Sequence, residues 1–357
     1  MAREHSTQNT RRRAGCLARL AGLATALACA SVLAVYAAEV WGARRHPAAE
    51  SLAYWPQHVY GALPLLALLL VILARRGRLL VPALAAIAFW AIALMRPAWH
   101  VPARPHQQPA GPTVRVVTYN VHVGLQGADR VAETVRGLQP DVICLQEAWH
   151  SPVLPLRRAF PGYHGLESME LDTLARFPIE SHRRVPFAMG WRHGLETKLD
   201  VHGVPLTVLN VHFITGTHPS GSVERALRER TVREYLRLTV AARRAQVATV
   251  MRWLDEQRGP AIVVGDFNTP PGAWSLRPLR ERMTDAFAAA GLGFGHTFPS
   301  EFPLIRIDYI WCTPDIRVRS CRVVRSAASD HCALVAELEL PAGPRRAGGQ
   351  RARSDQS

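Results

Sequence analysis

Three nearly uncharged apolar segments near the N-terminus constrain this chain more than any other feature. They cover about residues 14–38, 58–74 and 79–95 and are rich in Ala, Leu and Val. The shortest, with 17 residues, would form a helix about 26 Å long, which is just enough for the hydrocarbon core of a bilayer. Aromatic residues near the segment ends are typical of membrane interfaces. Residues 1–95 are therefore predicted to be a membrane region with three transmembrane helices.

Basic residues beside these segments predict their orientation. Arg11-Arg12-Arg13 precedes the first segment, and Arg75-Arg76-Gly77-Arg78 separates the second from the third. The first connection carries only Arg44 and Arg45. Because basic loops stay in the cytoplasm, we expect a multi-pass protein with a cytoplasmic N-terminus and an extracytoplasmic chain after residue 95.

Two other interpretations of the apolar segments remain open. The first segment could be a cleaved signal peptide, because it has a basic start, an apolar middle and small residues at Ala28-Cys29-Ala30. The second and third segments could form a buried helical hairpin of a soluble domain. Their length and lack of charge favour membrane spans, and these two spans would remain even if the first segment were cleaved.

The remainder of the chain divides by composition. Residues 96–112 contain five prolines, which predicts a semi-extended linker. Residues 341–357 are rich in Gly, Arg and Ser and are predicted to be a disordered tail. The formal charge of +15 suggests a nucleic-acid partner, but residues 1–111 contribute +9 and the tail +3. The intervening domain, residues 113–340, is therefore nearly balanced in charge.

Residues 113–340 alternate strand-like and helical patterns. Strands are predicted at 113–123, 141–145, 171–177, 195–201, 205–214, 261–264, 305–312, 316–325 and 332–340. Helices are predicted at 128–138 and 222–257, the latter capped by Ser222, with helical pieces at 274–290. Strand–helix alternation followed by hairpin-like pairs indicates an α/β domain with mixed sheets.

Eight polar residues share one place in this pattern, at or just past the end of an apolar strand. They are Asn120, Glu147, His212, Asp266, Asn268, Asp308, Asp330 and His331. Each alone has a structural explanation: Asn268 can begin a turn, and His212 can be a hydrogen-bonded core histidine. Together they supply carboxylates, amides and an Asp-His pair, which can hold a hard metal ion and move a proton near a phosphoester.

The order of these residues resembles the endonuclease/exonuclease/phosphatase superfamily, which includes deoxyribonuclease I, abasic-site endonucleases, inositol-polyphosphate 5-phosphatases and neutral sphingomyelinases. The motifs are Thr118-Tyr119-Asn120-Val121-His122, Leu145-Gln146-Glu147, Leu174-Ala175-Arg176-Phe177-Pro178-Ile179, Leu209-Asn210-Val211-His212, Gly265-Asp266-Phe267-Asn268, Arg306-Ile307-Asp308-Tyr309 and Ser329-Asp330-His331. The resemblance spans about residues 114–340. It implies a four-layer α/β/β/α sandwich and a divalent-metal hydrolase of phosphoesters.

The resemblance also implies a metal site. Glu147 would be the main Mg²⁺ ligand, with Asn120 and Asp330 nearby and Asn120 also close to the phosphate. Oxygen ligands suit Mg²⁺, with Mn²⁺ as the alternative ion. Some nucleases of the superfamily carry an acid where this chain has His122. That difference argues against a second carboxylate ligand there.

The other motif residues are implied to carry the chemistry. Asp266 is similar to the aspartate that positions or deprotonates the attacking water. His331 is similar to the histidine of an Asp-His pair, with Asp308 as its partner. Asn268 would hold a phosphate oxygen, and His212 would donate a hydrogen bond to the phosphate.

The substrate is less constrained than the reaction. Inositol 5-phosphatases carry a Trp-Cys-Asp-Arg signature near the last Asp, whereas this chain has Arg306-Ile307-Asp308-Tyr309. A tethered domain meets lipid headgroups at high local concentration. Three spans before such a domain also resemble bacterial membrane proteins of the VanJ teicoplanin-resistance type. A lipid-linked phosphate or pyrophosphate at the bacterial cell membrane is therefore the expected substrate.

Three alternatives to that substrate and activity remain. An extracytoplasmic nuclease would use residues 224–258, where nine Arg and five acids give a net charge of +4, although charged helices are usually solvated faces. A sphingomyelinase-type phospholipase is the next alternative. The last alternative is an inactive binding module. The presence of all eight polar residues argues against it. The sequence indicates no protein partner.

The six cysteines show no metal-binding spacing. Cys16 and Cys29 lie in an apolar segment, and the other four lie in strand-like runs. We interpret them as small buried apolar residues. A disulfide between Cys312 and Cys321 across a hairpin is the alternative, which needs a suitable geometry.

Overall fold

The computed structural model describes residues 2–100, 109–149, 156–188, 192–215 and 232–342. Most of the predicted tail, the centre of the predicted linker and the predicted cap Ser222 lie outside these ranges. The N-terminal region is helical. Its helices are α1 (Ala2–Ala37), α2 (Ala43–Arg45), α3 (Pro47–Glu50), α4 (Ala62–Leu73) and α5 (Leu80–Phe89), joined by π-helical stretches at Ala38–Gly42 and Trp90–Leu94 and by 3-10 turns at Ser51–Tyr54, Gln57–Gly61 and Gly77–Leu79.

Two helical stretches of the described chain are long and apolar enough to cross a membrane, namely Arg12–Arg45 and Gly77–Leu94. A third span results if Pro47–Tyr54 and Gln57–Leu73, which are bent by 90° at their junction, are counted as one. The first and third predicted spans thus correspond to long helices. The second corresponds to the straight arm of the bent pair.

These helices pack through small residues and direct large ones outward. The buried small residues are Ala21, Ala24, Ala28, Ala67, Ala83 and Ala86. The outward-facing residues include Leu20, Leu27, Leu66, Leu69, Ile72, Val81 and Leu84. Small side chains let helix backbones approach closely, which stabilises helix pairs in lipid, where leucine gains nothing from burial between helices.

The described residues that follow this helical region form the strands and the other helices. The strands are β1 (Ala98–Trp99), β2 (Thr113–Asn120), β3 (Val142–Gln146), β4 (His164–Ser168), β5 (Leu171–Ala175), β6 (Ile179–Pro186), β7 (His193–Val201), β8 (Val204–His212), β9 (Ala261–Asp266), β10 (Thr284–Asp285), β11 (Leu292–Gly293), β12 (Asp308–Cys312), β13 (Arg317–Val324) and β14 (Ala333–Glu339). The helices are α6 (Ala128–Gly137), α7 (Val232–Asp255), α8 (Arg277–Arg282) and α9 (Ala286–Ala290).

Two six-stranded mixed sheets dominate this part of the chain. The first sheet has the order β13-β14-β2-β3-β5-β4, and the second has the order β10-β12-β9-β8-β7-β6. Each contains one parallel pair at its centre, β2 with β3 and β8 with β9, while the other pairs are antiparallel. Strand–helix–strand connections produce the parallel pairs, and hairpins produce the antiparallel pairs β4–β5, β6–β7, β7–β8 and β13–β14.

Three apolar layers show that the two sheets form a four-layer sandwich. Between the sheets lie buried side chains of β2, β3, β8, β9, β12 and β14. α6 covers the outer face of the first sheet through Val131 and Val135. α7 covers the outer face of the second through Val247, Val250 and Trp253. The predicted α/β/β/α sandwich is confirmed.

The hairpin between β7 and β8 shows how local sequence sets register. His202 and Gly203 both adopt positive φ, 55° and 85°. Two central residues with positive φ make a type I′ turn, whose twist matches that of paired strands. The turn aligns Val201 with Val204 and brings Gly194 opposite Val211. β8 therefore ends with His212 beside the end of β9.

The alternative disulfide is not formed in this structure. All six cysteines are free thiols. Cys312 lies in β12 of the second sheet and Cys321 in β13 of the first, so they are not on two arms of one hairpin. Both are buried in the apolar layer between the sheets, together with Cys144.

The helical region docks directly on the sandwich. Glu50, fully buried, accepts hydrogen bonds from the Arg244 side chain at 2.6 Å and from the Ser275 backbone N at 2.8 Å. Arg243 stacks on the Tyr54 ring at 4.2 Å. β1, at the start of the predicted linker, pairs with β11 of the domain. The two regions are thus joined by buried polar contacts as well as by the chain.

Candidate active site

Both large sheets bring polar residues to one end of the sandwich. The parallel strands β2 and β3 end with Asn120 paired to Gln146, directly before Glu147. The parallel strands β8 and β9 end with His212 paired to Asp266. Carboxyl ends of parallel strands meet at one edge of a sheet. A 3.1 Å hydrogen bond from Asn120 Nδ2 to Asp266 Oδ2 joins the two sheets there.

The glycine before Asp266 allows this close packing. Gly265 has a φ of 138°, and a Cβ at this position would collide with the carbonyl oxygen of Val211 in β8. No other residue type tolerates both the backbone conformation and the contact. The glycine of the Gly265-Asp266-Phe267-Asn268 motif therefore places Asp266 against the end of β8.

Asn120 bridges two carboxylates. Its Nδ2 also donates to Glu147 Oε1 at 3.2 Å, and its Oδ1 accepts from the His122 backbone N at 3.0 Å. Three residues here adopt the left-handed conformation, with φ of 53° at Glu147, 46° at His122 and 47° at Asn268. Such strain costs about 1–3 kcal/mol each and persists where surrounding contacts impose it, often at functional sites.

Asp308 and His331 form a buried hydrogen-bonded pair. His331 Nδ1 lies 3.0 Å from Asp308 Oδ2, and its Nε2 lies 3.8 Å from Asp266 Oδ2. Burial lowers the pKa of His331, but Asp308 and Asp266 outweigh burial and raise this pKa to about 10. The structure thus joins residues from three predicted motifs, and the imidazole carries its proton at neutral pH.

A second histidine–carboxylate pair lies opposite the first. His212 Nδ1 is 3.1 Å from Glu170 Oε2, and Glu170 also pairs with Arg192 at 3.4 Å. His212 Nε2 makes no hydrogen bond within the described residues and lies 3.5 Å from Asp266 Oδ2. Burial and the Arg192 charge lower the pKa of His212 to about 3, so this imidazole is neutral at pH 7.

Glu170 and Arg192 were not among the residues singled out from the sequence. Glu170 lies on the turn between β4 and β5, and Arg192 precedes β7; neither follows an apolar run. Both are nonetheless almost fully buried. A buried acid and a buried arginine are rarely structural accidents, because each needs a charged partner. Only their burial, which the sequence does not display, identifies them.

Asn268 and Asp330 lie at the rim of this cluster. The Asn268 backbone N donates to Asp266 Oδ1 at 2.8 Å, and its Nδ2 donates to the Phe213 carbonyl at 3.1 Å. Asp330 is partly exposed, and its Oδ1 lies 3.5 Å from His122 Nδ1. Neighbouring Ser329 donates to the Asn120 carbonyl at 2.7 Å. All eight residues singled out from the sequence therefore gather at one end of the sandwich.

The donor set fits a divalent cation. Carboxylate oxygens of Asp266 and Asp308 lie within 4.8 Å of each other and of a His331 ring nitrogen, and Glu147 is connected to Asp266 through Asn120. Asp308 Oδ1 is buried without a hydrogen-bond partner among the described residues. Closely spaced carboxylates in a buried site need a positive charge, and oxygen donors suit a hard ion.

A family model adds independent support. The model described as the Endonuclease/Exonuclease/phosphatase family matches residues 117–331, which is more than half of the chain. The chain belongs to this family. The matched range contains the whole cluster, from Asn120 to His331. Members of the family are hydrolases of phosphoester bonds and generally use divalent metals.

Similar proteins include one from Escherichia coli strain K12. The chain is 25% identical to its uncharacterized protein YbhP over 281 residues, covering 63% of this chain and 96% of YbhP. An Endonuclease/Exonuclease/phosphatase family protein of Bacteroides thetaiotaomicron superposes with a TM-score of 0.52 and 18% identity, covering 66% of this chain and 99% of that one.

Two further solved structures share the fold. The mannosyl-6-phosphatase Bt3783 of Bacteroides thetaiotaomicron superposes with a TM-score of 0.50 at 17% identity, covering 63% of this chain and 99% of its own. Truncated Caenorhabditis elegans TDP2 gives a TM-score of 0.50 at 19% identity, covering 64% and 98%. At these identities the likeness establishes architecture and leaves the substrate to other arguments.

Proposed function

We propose that this protein is a membrane-anchored, metal-dependent phosphoesterase acting at the outer face of the membrane. Its substrate would be a phosphodiester, phosphomonoester or pyrophosphate, lipid-linked in our preferred version. The observation that carries the proposal is the Asn120–Asp266 hydrogen bond between the sheets. This bond places Glu147 and the Asp308–His331 pair on two sides of one carboxylate, with room for metal-assisted attack on phosphorus.

Glu147, Asn120 and Asp330 would hold the metal ion, Mg²⁺ or Mn²⁺. Carboxylate and amide oxygens are the donors such ions prefer, and Glu147 and Asp330 are the solvent-accessible carboxylates of the cluster. When bound, the ion would neutralise charge that builds on the phosphoryl oxygens in the transition state. Asp266 and Asp308 add negative charge beside this site and so favour cation binding.

Asp266 would orient and deprotonate the attacking water. The Asn268 backbone N and the Asn120 amide fix both of its oxygens. Burial and the Asp308 charge raise the pKa of Asp266, against the opposing effect of His331. A fixed carboxylate with a raised pKa accepts a proton more readily at neutral pH than an exposed aspartate does.

His331 and His212 would act on the phosphate from different protonation states. Charged His331 can donate Nε2–H to a phosphoryl oxygen or the leaving group. Neutral His212 donates Nδ1–H to Glu170, which leaves the Nε2 lone pair facing the site. A phosphate anion beside Nε2 would favour the imidazolium, and His212 would then donate a hydrogen bond to it. Asn268 would contribute another contact to a phosphate oxygen.

The docking of the two regions supports a substrate at the membrane surface. The contacts from Glu50 and Tyr54 to the sandwich lie where the first apolar helix ends and the bent pair begins. The basic segment Arg75-Arg76-Gly77-Arg78 lies at the other end of the helices, between α4 and α5. With basic segments inside, the active site would lie outside. A reporter active only in the cytoplasm, fused after Leu340, should then be silent; strong reporter activity would contradict this orientation.

The nuclease alternative receives less support from the described part of α7. Arg244 of this helix pairs with Glu50, and Arg243 stacks on Tyr54. Two arginines expected on a nucleic-acid face are therefore used to dock the helical region. Binding of a nucleic-acid backbone needs several accessible cations. The loss of these two arginines therefore makes this face of α7 a weaker candidate for a nucleic-acid-binding surface.

Hydrolysis of bis-p-nitrophenyl phosphate by the purified full chain tests the proposed reaction. We expect turnover that EDTA abolishes and Mg²⁺ or Mn²⁺ restores. Glu147→Gln should lose at least about 1000-fold in turnover, because the metal would lose its main carboxylate. The matched control is Glu196→Gln, a buried carboxylate paired with Arg183 away from the site. Near wild-type turnover of Glu147→Gln, or turnover indifferent to EDTA, would refute the proposal.

A second measurement addresses the substrate. Undecaprenyl pyrophosphate, sphingomyelin and plasmid DNA would be offered to the wild type and to Glu147→Gln. Metal-dependent phosphate release from undecaprenyl pyrophosphate supports the lipid-linked version. Cleavage of plasmid DNA alone would replace it with the nuclease alternative, and choline-phosphate release alone would replace it with the phospholipase alternative.

A further inference from the structure

An arginine-rich cavity lies between the helical region and the sandwich, away from the active site. Its volume is about 860 Å³, a size typical of small-molecule sites. One wall is the end of the first apolar helix, with Trp41, and the other is the segment that carries Trp274. Five arginines line the cavity: Arg44, Arg45, Arg96, Arg277 and Arg280. None of the eight active-site residues lines it.

The cavity carries excess positive charge. Only two carboxylates line it, Glu39 and Glu281, and each is already paired, Glu39 with Arg96 at 2.8 Å and Glu281 with Arg277 at 2.6 Å. Among the described residues, no carboxylate lies within 4.0 Å of the other three arginines. The more distant charges of Asp285 and Glu281 offset part of this excess at Arg280. Closely spaced cations repel one another, and a bound anion would relieve the repulsion that remains.

Several of the guanidinium groups are held in place before any ligand binds. Arg280 Nη1 donates to the carbonyl oxygens of Pro271 at 2.8 Å and Ala273 at 3.1 Å. Burial and the Arg96 charge lower the pKa of Arg280, as expected for a cation beside another cation. Arg277 stacks on Trp274 at 4.4 Å. Fixed planar guanidinium groups suit the oxygens of a phosphate, which they can bind in a bidentate manner.

Close packing of the wall connects the cavity to the sandwich. Gly272 approaches the Arg96–Glu39 pair so closely that a Cβ would collide with the Arg96 guanidinium. The cavity is therefore a defined feature of the junction. Gly272 follows Asn268 by four residues, so one wall of the cavity and the rim of the active site belong to the same segment.

The cavity lies at the membrane end of the domain. Trp41, Trp55 and Trp99 are all strongly exposed, at 69%, 61% and 73%, and all lie where apolar helices meet the sandwich. Exposed tryptophans are characteristic of the membrane–water interface. Arg44 and Arg45, also exposed, follow Trp41 after two residues. Arginines at this depth would face lipid phosphates.

We propose that this cavity binds the phosphate group of an anionic membrane lipid. Its charge, its fixed guanidinium groups and its tryptophan-marked position at the ends of apolar helices fit a lipid headgroup better than a soluble anion. Basic pockets next to transmembrane helices attract such headgroups. The site is additional to the catalytic one and does not depend on the proposed reaction.

The test uses the full chain in a non-ionic detergent and native mass spectrometry. The protein is titrated with dihexanoyl phosphatidic acid, with dihexanoyl phosphatidylcholine and with inorganic phosphate. Arg44→Gln/Arg45→Gln should weaken phosphatidic acid binding about 20-fold, because two cations near the phosphate are lost. The matched control is Arg75→Gln/Arg76→Gln, with the same charge change at the opposite end of the helices. The single variants Arg44→Gln and Arg45→Gln should each give a partial loss.

Phosphatidic acid should bind the wild type and the Arg75/Arg76 control alike, and more tightly than phosphatidylcholine. Equal losses in both double variants would overturn the proposal, since net charge and not the cavity would then determine binding. Unchanged binding in Arg44→Gln/Arg45→Gln would also overturn it. Inorganic phosphate bound as tightly as phosphatidic acid would assign the cavity to a soluble anion and would reject the lipid. Thermal unfolding of each variant checks that the chain is folded.

Discussion

The two buried histidines of the candidate active site differ in charge although both pair with a carboxylate. His331 contacts Asp308 and lies near Asp266, and its pKa is raised to about 10. His212 contacts Glu170, and its pKa is lowered to about 3. Both are almost fully buried, and burial alone would keep both neutral. The difference must therefore come from the other charges around each ring.

The neighbour that differs is Arg192. Glu170 shares its charge with Arg192, so His212 experiences an acid already neutralised by a cation. Asp308 has no such cation beside it in the described structure, and its charge acts on His331 in full. A histidine–carboxylate pair is thus not a unit with one behaviour. The third group decides whether the imidazole carries a proton.

Removing the Asp308 charge should have the largest effect. In Asp308→Asn, His331 loses its main counter-charge and its orientation, and turnover of bis-p-nitrophenyl phosphate should fall about 1000-fold. Asp141→Asn, at the opposite end of β3, should leave turnover unchanged and serves as the control. An Asp308→Asn variant as active as the wild type would show that the charged histidine is not needed.

Removing the other carboxylate should have a smaller effect. Glu170 orients His212 without facing the reacting atoms, and loss of such an orienting partner typically costs 10- to 100-fold. Turnover in Glu170→Gln should therefore fall about 30-fold, with a smaller loss in the Glu196→Gln control. If Glu170→Gln lost as much as Asp308→Asn, the two pairs would have equivalent roles.

Replacing the cation should make the two histidines more alike. In Arg192→Met the pKa of His212 should rise by about 1 to 2, because the charge that opposes the imidazolium is gone. Titration of ¹⁵N-labelled histidines by NMR, on metal-free protein, would measure this. The pKa of His331 should hardly change. An unchanged pKa for His212 would assign its neutrality to burial alone.

The smallest expected effect is on the free energy of unfolding. Its pH dependence should differ between the two histidines. His331 has a raised pKa, so its contribution is complete below about pH 6.5 and is lost as the pH rises through 10. His212 has a lowered pKa, so stability falls as the pH drops from about 6.5 towards 3.

Thermal unfolding of the full chain across this pH range would measure both effects. His331→Asn should flatten the alkaline side of the curve, and His212→Asn should flatten the acid side. An exchange of the two effects, or a curve unchanged by both substitutions, would contradict the assigned pKa directions.

The first pair could be predicted from the sequence, and the second only in part. Asp308 and His331 lie in short motifs beside apolar strands. Both the strand pattern and the place of each motif at a strand end can be read from the sequence. Glu170 and Arg192 lie on connections, and no local pattern indicates that they are buried. Their meeting with His212 depends on how β4, β5, β7 and β8 are arranged, which is a property of the whole sheet.

The fold shows the same limit. The hairpin of β7 and β8 and the central apolar strands could be predicted from alternation and turn residues. β6 could not, because Glu180–Arg184 are all exposed on an edge strand and show no apolar alternation. The bend between Pro47–Tyr54 and Gln57–Leu73 was also not predicted, because composition alone does not show where a helix turns.

The contacts of Glu50 have a consequence for where this molecule can be divided. Composition suggests a cut near residue 113, yet Arg244 and the Ser275 N–H on the far side of that cut depend on Glu50 for their partner. Without Glu50, the partly exposed Arg244 side chain and the Ser275 N–H would lose this carboxylate partner, which would lower the free energy of unfolding. An excised 113–340 fragment would expose both of these groups on its surface. The N-terminal helical region is thus a structural part of the folded molecule and more than an attachment to it.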